Sequence, residues 1–308
     1  MSETAMAALR RCELCPRRCA ADRLRGETGF CGAGAAATVA LAAQHHGEEP
    51  CISGSRGSGT VFFSRCNLRC VYCQNHEISW GDTGRDLSAT ELVEVFLQRQ
   101  TTGAHNLNLV SPTPYIPVIA TALRQAKKQG LTIPVVYNSN AYENVAALRL
   151  LEGLVDIYLP DLKYFMEEAA SRYSGVKNYF AVAAAAVLEM HRQVGNLTFN
   201  KEGLAVRGLL IRHLVLPGQR DAACRILEWI HSNLPAETFV SIMSQYVPLW
   251  QAHRHPEINR RLSPVEYQAV LDYFDKTGLL NGYMQDLAAA TEEYVPRFDL
   301  SGLSTGYQ

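Results

Sequence analysis

The sequence lacks a long hydrophobic run. Its longest apolar stretch, around residues 181–188, is mostly alanine and is too short for a transmembrane helix. The N-terminus shows no basic segment followed by an apolar one, which is the pattern of a secretory leader. We therefore expect a cytoplasmic globular protein that does not use a membrane as a partner.

The chain also lacks an excess of either charge. Its 29 Lys and Arg residues nearly balance 30 Asp and Glu residues, which gives a net charge of −1. This balance argues against nucleic acid as a partner. The first 30 residues are locally basic, and a solvated surface around a metal module explains them as well as an acidic partner does. With 308 residues, 47% of them hydrophobic, the chain can form one large α/β domain and a small appendage.

Cysteine, by contrast, is abundant, and seven of the nine cysteines fall into two tight groups. In a reducing cytoplasm, clustered cysteines bind metals more often than they form disulfides. We therefore predict two metal sites. The first has the spacing C-x2-C-x3-C-x11-C, formed by Cys12, Cys15, Cys19 and Cys31. The second has the spacing C-x3-C-x2-C, formed by Cys66, Cys70 and Cys73.

The second cysteine group predicts a catalytic iron–sulfur site. Three thiolates on a four-iron cluster leave one iron open, and an open position is typical of a catalytic metal site. A zinc site that adds His76 as its fourth ligand is the alternative. A predicted buried strand precedes the triplet and an alternation of strands and helices follows it, so the context favours iron at the start of an α/β barrel.

A family resemblance rests on Cys66-Asn67-Leu68-Arg69-Cys70-Val71-Tyr72-Cys73. This segment resembles the C-x3-C-x-aromatic-C loop of the radical S-adenosylmethionine (SAM) superfamily. The resemblance implies that SAM chelates the open iron of a [4Fe-4S] cluster. Electron transfer then yields a 5′-deoxyadenosyl radical that abstracts hydrogen from a substrate, with Tyr72 beside the adenine. A reductant such as flavodoxin or ferredoxin is also implied.

A narrower resemblance covers about residues 10–285 and involves the uncharacterised superfamily branch that is similar to pyruvate formate-lyase activating enzyme. It implies a protein glycine as the substrate, as in the activation of glycyl-radical enzymes. Radical modification of a small molecule or peptide is the alternative. The well-studied activases carry extra clusters after the catalytic triplet, whereas the extra cysteines here precede it. A zinc-binding adaptor that uses both cysteine groups is the alternative from another class of protein.

Hydrophobic periodicity predicts an alternation of strands and helices after the second cysteine group. Strands are predicted near residues 59–64, 106–110, 133–137, 154–159, 209–215 and 238–243. Helices are predicted from a capping box at Ser88 and Glu91, and over about 116–129, 143–151, 178–193, 220–231 and 264–277. This alternation favours a parallel sheet. The resemblance implies an α/β fold with a partial (β/α)6 barrel, although an eight-stranded barrel or a doubly wound sheet would fit the same pattern.

A boundary is predicted near residues 50–58, which are rich in glycine and begin with proline. It would separate an N-terminal Cys-rich metal-binding module, residues 1–55, from a radical SAM barrel domain, residues 56–308.

Polar residues follow the predicted strands, where barrel enzymes place their sites. Several of these segments resemble those that line the cofactor in glycyl-radical activating enzymes. The superfamily usually grips the methionine amine with a Gly-Gly-Glu-like segment, but this chain has Ser111-Pro112-Thr113 there. Each segment alone could be a turn or a surface ion pair, yet together they favour a site. With Tyr72, the predicted cofactor-binding residues are Ser111, Thr113, Asn138, Ser139, Asn140, Asp161, Lys163 and Arg212.

The first cysteine group supplies four thiolates and therefore a closed coordination shell. Both an auxiliary [4Fe-4S] cluster and a structural zinc accept four thiolates, and the short spacing with Pro16 slightly favours the cluster. A redox-active cluster could pass electrons to the catalytic cluster, whereas a zinc ion would stabilise the fold or a docking module. Cys51 and Cys224 receive no role in either site.

Overall fold

A computed structural model of the protein describes residues 3–290 and 295–303. Within these ranges the chain forms ten strands and ten α-helices. The strands are β1 (Ala37–His45), β2 (Ser58–Phe63), β3 (Arg85–Leu87), β4 (Leu107–Val110), β5 (Val135–Ser139), β6 (Ile157–Pro160), β7 (Thr198–Phe199), β8 (Ala205–Leu214), β9 (Phe239–Met243) and β10 (Asn281–Met284). The helices are α1 (Glu3–Arg10), α2 (Pro50–Ser53), α3 (His76–Ser79), α4 (Ala89–Thr101), α5 (Ile116–Lys128), α6 (Val145–Leu148), α7 (Glu167–Ser174), α8 (Tyr179–Val194), α9 (Arg220–Asn233) and α10 (Pro264–Thr277).

The parallel strands follow one another in the order β2-β4-β5-β6-β8-β9-β10. All residues of β2, β4, β5 and β6 are buried, as expected for a parallel sheet that is covered on both faces. The predicted α/β fold with a partial barrel is therefore confirmed. The six predicted strands all form, and β10 adds a parallel strand that the periodicity did not indicate.

The N-terminal end of the sheet differs from the prediction. Strand β1 pairs antiparallel with β2, and β3 pairs antiparallel with β1. The sheet therefore extends across the boundary that was predicted at residue 55. Sequence periodicity did not reveal β1 because its apolar positions are largely alanine, which has a low strand propensity and does not alternate with polar residues here.

The capping signals in the sequence predicted the start of α4 more reliably than periodicity predicted β1. At the start of α4, the Ser88 hydroxyl accepts a hydrogen bond from the Glu91 amide (3.3 Å), and the Glu91 carboxylate accepts one from the Ser88 amide (2.8 Å). This pair is the predicted capping box. Within the ranges that the structure describes, no helix is both long and apolar enough to cross a membrane.

The last described segment, residues 295–303, lies against β1, near the end of the sheet that is opposite to β10. The Leu300 amide donates to the Ala40 carbonyl (3.0 Å), and the Ala42 amide donates to the Ser301 carbonyl (3.0 Å). Phe298 packs edge-on against Phe62 of β2, with ring centroids 5.6 Å apart. The segment thus covers the β1–β2 end of the barrel.

One glycine is predicted to be essential for the packing of β8. Gly208 has a φ of +125°, and a Cβ there would lie 2.4 Å from the Asn196 carbonyl oxygen and 2.4 Å from the Leu197 Cα. Gly203 also has a positive φ, +76°, but has open space around it. We expect Gly208→Ala to lower the free energy of unfolding by about 2–4 kcal/mol and Gly203→Ala by about 1 kcal/mol. Equal losses in anaerobic urea unfolding would contradict this account.

Candidate active site

A cavity lies at the carboxyl ends of the parallel strands. The loop after β2 contributes the three cysteines of the second group to its wall. The ends of β4, β5, β6 and β8 contribute polar side chains, and the end of β9 contributes Gln245 and Tyr246. Eight of the nine residues predicted to bind the cofactor line this cavity, namely Tyr72, Ser111, Asn138, Ser139, Asn140, Asp161, Lys163 and Arg212. Their roles as ligands of the cofactor stay predictions.

Hydroxyl groups support two of the cysteines. The Ser174 hydroxyl donates to the Cys70 sulfur (3.0 Å), and the Ser79 hydroxyl donates to the Cys73 sulfur (3.2 Å). Burial raises the pKa of Cys73 to about 12 and also raises the pKa of Cys66. Both residues are therefore thiols before a metal binds, and ligation must displace their protons. Donors to sulfur then stabilise the negative charge of the bound thiolates.

The arrangement of donors fits a cluster better than a single ion. In residues 3–290 and 295–303, no group of three or more His, Cys, Asp or Glu side chains is close enough to hold one metal ion. A four-iron cluster places each ligand on a different iron, so its thiolates stand farther apart than those of a zinc ion. His76, the alternative zinc ligand, stacks instead on Trp250 with ring centroids 4.6 Å apart. Three thiols around one cavity thus fit a cluster with one open iron.

Arg212 connects the polar residues on the cavity wall. Its guanidinium donates to Asp161 (2.8 Å), to Glu48 (2.9 Å) and to the side-chain oxygen of Asn138 (2.7 Å). The second carboxylate oxygen of Asp161 pairs with the ammonium of Lys163 (2.7 Å). The sequence analysis had predicted four of these residues to bind the cofactor, namely Asn138, Asp161, Lys163 and Arg212. Glu48 was missed because it lies just before the boundary predicted at residues 50–58, far from any predicted strand end.

The electrostatics keep this network charged and balanced. Burial alone would raise the pKa of Asp161, but Arg212 and Lys163 outweigh burial and hold it below its ordinary value. Burial alone would lower the pKa of Lys163, but Asp161 raises it above its ordinary value. Burial raises the pKa of the neighbouring Glu49. Asp161 therefore pairs with both Arg212 and Lys163, and Arg212 pairs with Glu48 as well, which limits the cost of burying these groups.

Thr113 is the exception among the predicted cofactor ligands, because it does not line this cavity. Its hydroxyl donates to the buried carboxylate of Glu143 (2.6 Å), which also accepts from the hydroxyls of Tyr137 (2.6 Å) and Ser139 (3.3 Å). Thr113 lines a second cavity instead. Position at a strand end identified the correct edge of the sheet, but it did not determine which way Thr113 points. Ser111 does face the active-site cavity.

The remaining two predicted ligands lie close to the cysteine loop. Tyr72 is buried, and its hydroxyl donates to the hydroxyl of Tyr164 (2.8 Å). The Asn140 amide donates to the Asn67 side chain (2.8 Å) and lies 3.6 Å from the Cys66 sulfur. Both residues are therefore built into the support of the loop as well as into the cavity wall.

The second cavity is lined by all four cysteines of the first group. Cys12 and Cys31 are buried, whereas Cys19 is exposed. Burial raises the pKa of Cys12, and it raises the pKa of Cys15 to about 12. The buried Arg23 places a guanidinium nitrogen 3.8 Å from the Cys31 sulfur. All four thiols of the first group thus line one small space.

Removal of Arg212 tests the balance of charge in the first cavity. Arg212→Met leaves Glu48 and Asp161 buried without their shared partner, and we expect a loss of about 3–5 kcal/mol in the free energy of unfolding at pH 8. Without Arg212, burial raises the pKa of the Asp161 carboxyl in the folded variant above its value in the unfolded chain. Because the folded variant binds the extra proton, its stability increases as the pH falls, and the loss shrinks at pH 5.

The matched control is Arg220→Met. Arg220 pairs with Asp221, both exposed, so its removal should change stability by at most about 0.5 kcal/mol at either pH. Each variant is compared with the unmodified chain by urea unfolding at pH 5 and pH 8. This comparison cancels the titration of His213, whose pKa burial lowers to about 4. A loss that is independent of pH, or no larger than that of the control, would show that the network is not held by Arg212.

Comparison with known proteins agrees with the chemistry of the cavity. Residues 60–230 match the Radical SAM superfamily. Uncharacterized protein MJ0674 of Methanocaldococcus jannaschii is 32% identical over 287 residues, which are 90% of this chain and 78% of that protein.

Solved structures show a likeness in fold alone. SuiB of Streptococcus suis bound to precursor peptide SuiA has a TM-score of 0.50 at 14% identity, over 73% of this chain and 48% of SuiB. A domain of pyruvate-formate lyase-activating enzyme from Bacteroides vulgatus has a TM-score of 0.41 at 12% identity, over 56% of this chain and 92% of the domain. The aligned region thus spans about half the length of SuiB. The sequence match extends over more than half of the chain and includes the cysteine loop, and it shows that the protein belongs to the radical SAM superfamily.

Proposed function

We propose that this radical SAM protein abstracts a hydrogen atom from a substrate held beside Cys66, Cys70 and Cys73. The observation that carries the proposal is the position of these three thiols, which share one cavity with the balanced charges around Arg212. The cysteines would hold a [4Fe-4S] cluster. Together with SAM, this cluster supplies a one-electron cleavage that yields a 5′-deoxyadenosyl radical.

The contribution of the chain itself is binding, orientation and exclusion of water. Lys163 and Arg212 supply fixed positive charge for a carboxylate, while Asp161 and Glu48 keep both cations in place. These side chains are already oriented by one another, so binding costs little rearrangement. Apolar side chains, among them Phe62, Phe63, Ile78 and Val110, line the same cavity and limit the access of water.

For the substrate, we propose a backbone glycine of a partner protein. The support is the similarity of the segments at Asn138–Asn140, Asp161–Lys163 and Arg212–Gly218 to those of glycyl-radical activating enzymes. The first two segments and Arg212 itself line the cavity. A one-electron protein reductant, such as flavodoxin or ferredoxin, and a cytoplasmic location belong to the same proposal.

A small molecule or a short peptide is the second candidate substrate, and one observation favours it. The segment 295–303 covers the β1–β2 end of the barrel, where Pro296 contributes to the cavity wall and Phe298 packs on Phe62. A folded partner would have to insert a loop past this segment. A compact substrate would not.

Metal content tests the site of the chemistry. After anaerobic reconstitution, we expect about eight irons per chain, falling to about four in a Cys66→Ala, Cys70→Ala, Cys73→Ala triple variant. The triple variant should form no 5′-deoxyadenosine with dithionite and SAM, because the catalytic cluster is lost. Cys224→Ala is the control and should match the unmodified chain in both measurements. Zinc in place of iron in the unmodified chain would contradict the proposal.

The source of the abstracted hydrogen distinguishes the two substrate classes. An extract from cells grown in deuterated medium is divided by size filtration, and each fraction is incubated with the reduced enzyme and unlabelled SAM. If a protein glycine is the substrate, deuterium should enter 5′-deoxyadenosine only with the retained protein fraction, as measured by mass spectrometry. Label from the small-molecule filtrate alone would reject the glycine proposal and favour the second candidate.

A further inference from the structure

Three arginines approach the first cysteine group, and none of them is paired with a carboxylate. Arg17 and Arg23 line the second cavity, and Arg69 donates to the Cys31 carbonyl (3.4 Å). Within the part of the chain that the structure describes, no ion pair involves any of the three. Three positive charges therefore converge on one site without the opposite charge that would offset their repulsion.

Arg23 is the most deeply buried of the three, with 3% of its surface exposed. Its guanidinium donates to the Pro114 carbonyl and lies 3.8 Å from the Cys31 sulfur. In residues 3–290 and 295–303, its Nε meets no hydrogen-bond acceptor. A buried cation that contacts only a carbonyl and a thiol lacks the opposite charge that normally offsets the cost of burying it.

The turn that carries Arg23 occupies its acidic neighbour elsewhere. Arg23 begins a short 3-10 helix, Arg23–Arg25, in which the Asp22 side chain accepts from the Leu24 amide (3.1 Å). Asp22 also forms an ion pair with the exposed Arg25 (3.6 Å). The carboxylate that is nearest in the sequence is thus already used, and Arg23 reaches the cysteines without a charged partner.

The surroundings of these cysteines fit a metal centre that supplies the missing charge. A Cβ at Gly29 would lie 2.1 Å from the Cys19 sulfur, so only glycine leaves room for this thiol in the cavity wall. Four thiolates outweigh the charge of a zinc ion, and they also leave a four-iron cluster with a net negative charge. A metal centre of either kind would therefore be the anion that the three arginines lack.

We propose that Arg23 is the buried counter-charge of the metal centre at the first cysteine group and positions Cys31 for it. Metal binding displaces the protons of its thiol ligands, so the guanidinium gains its missing partner only when the metal is bound. Arg23 thereby makes the order of the N-terminal module depend on the metal, whichever metal it is. The inference requires a metal at the first cysteine group and is independent of the hydrogen abstraction proposed above.

This role has a signature that a merely structural arginine would not show. With the metal bound, loss of the Arg23 charge leaves an anionic centre without its buried partner, which weakens the module. Without the metal, thiols are largely uncharged at pH 7, and loss of the same charge removes an unpaired buried cation. A structural role, through the bond to the Pro114 carbonyl, would weaken the module in both states and would tolerate a neutral N–H donor.

The experiment measures hydrogen–deuterium exchange of residues 12–31 by mass spectrometry in the full chain. Arg23→Gln keeps an N–H donor without the charge, and Arg23→Lys keeps the charge. Each is compared with the unmodified chain after anaerobic reconstitution with iron and sulfide, and again after removal of the metal. Iron and zinc are counted, and the rate of metal loss to a chelator is recorded.

Two matched controls accompany these variants. Arg25→Gln changes an exposed arginine of the same turn. Arg99→Gln changes an arginine that is also buried, with 5% of its surface exposed, but whose guanidinium donates to the Ala42 carbonyl (2.9 Å) and to no sulfur in the described residues. Both should leave exchange in residues 12–31 and the rate of metal loss within about twofold of the unmodified chain in either state.

We expect Arg23→Gln to speed exchange in residues 12–31 about tenfold in the metal-loaded chain, and metal loss by a similar factor. In the metal-free chain, its exchange should be unchanged or slower. Arg23→Lys should stay within about threefold of the unmodified chain in the loaded state, because the charge is kept. If Arg23→Gln takes up no metal at the first cysteine group, Arg23→Lys should still take it up.

Three results would overturn the inference. The first is exchange that Arg23→Gln speeds equally with and without metal, or leaves unchanged in the loaded chain. The second is Arg23→Lys that behaves like Arg23→Gln. The third is no metal in the triple variant that lacks Cys66, Cys70 and Cys73. The yield of 5′-deoxyadenosine from the unmodified chain with dithionite and SAM tests the proposed function separately, and its absence would leave the role of Arg23 standing.

Discussion

The buried ion network around Arg212 is the constraint on which the active-site wall depends. Four charges around one cavity would oppose folding if any one lacked a partner, because a buried unpaired charge is far more costly than a pair. Their partners come from different parts of the chain: Asn138 from β5, Asp161 after β6, and Glu48 from the segment after β1. The register between β5, β6 and β8 is therefore tied to the chemistry, since a slipped strand would leave a carboxylate unpaired.

Much of this arrangement could be predicted from the sequence, and the reason is physical. Parallel strands that are buried on both faces appear as short apolar runs, so β2, β4, β5, β6, β8 and β9 were visible. Cysteine spacing was informative because metal ligands must return to one point within a few residues. Capping boxes such as Ser88 with Glu91 are local, so sequence alone contains them.

What the sequence did not reveal depends on long-range packing. The sequence analysis assigned no role to Glu48, and its role becomes visible only when β8 brings Arg212 beside it. Thr113 was assigned by its position after a strand, but neighbouring residues after a strand end point in different directions, and its hydroxyl meets Glu143 instead. Strand β1 is rich in alanine and joins the sheet through pairing with β2 rather than through its own periodicity.

The order of the two cysteine groups along the chain matters for the structure, because the N-terminal module contacts the loop that carries Cys66 and Cys70. Extra cysteines placed after the catalytic triplet could contact the barrel from many sides. Here they precede it, and the N-terminal module contacts the catalytic loop where the Arg17 guanidinium donates to the Asn67 carbonyl (2.9 Å). The same residues that fold the module therefore fix the position of Cys66 and Cys70. A metal bound by the first group stabilises the catalytic loop whether it is zinc or iron, because metal binding is coupled to folding.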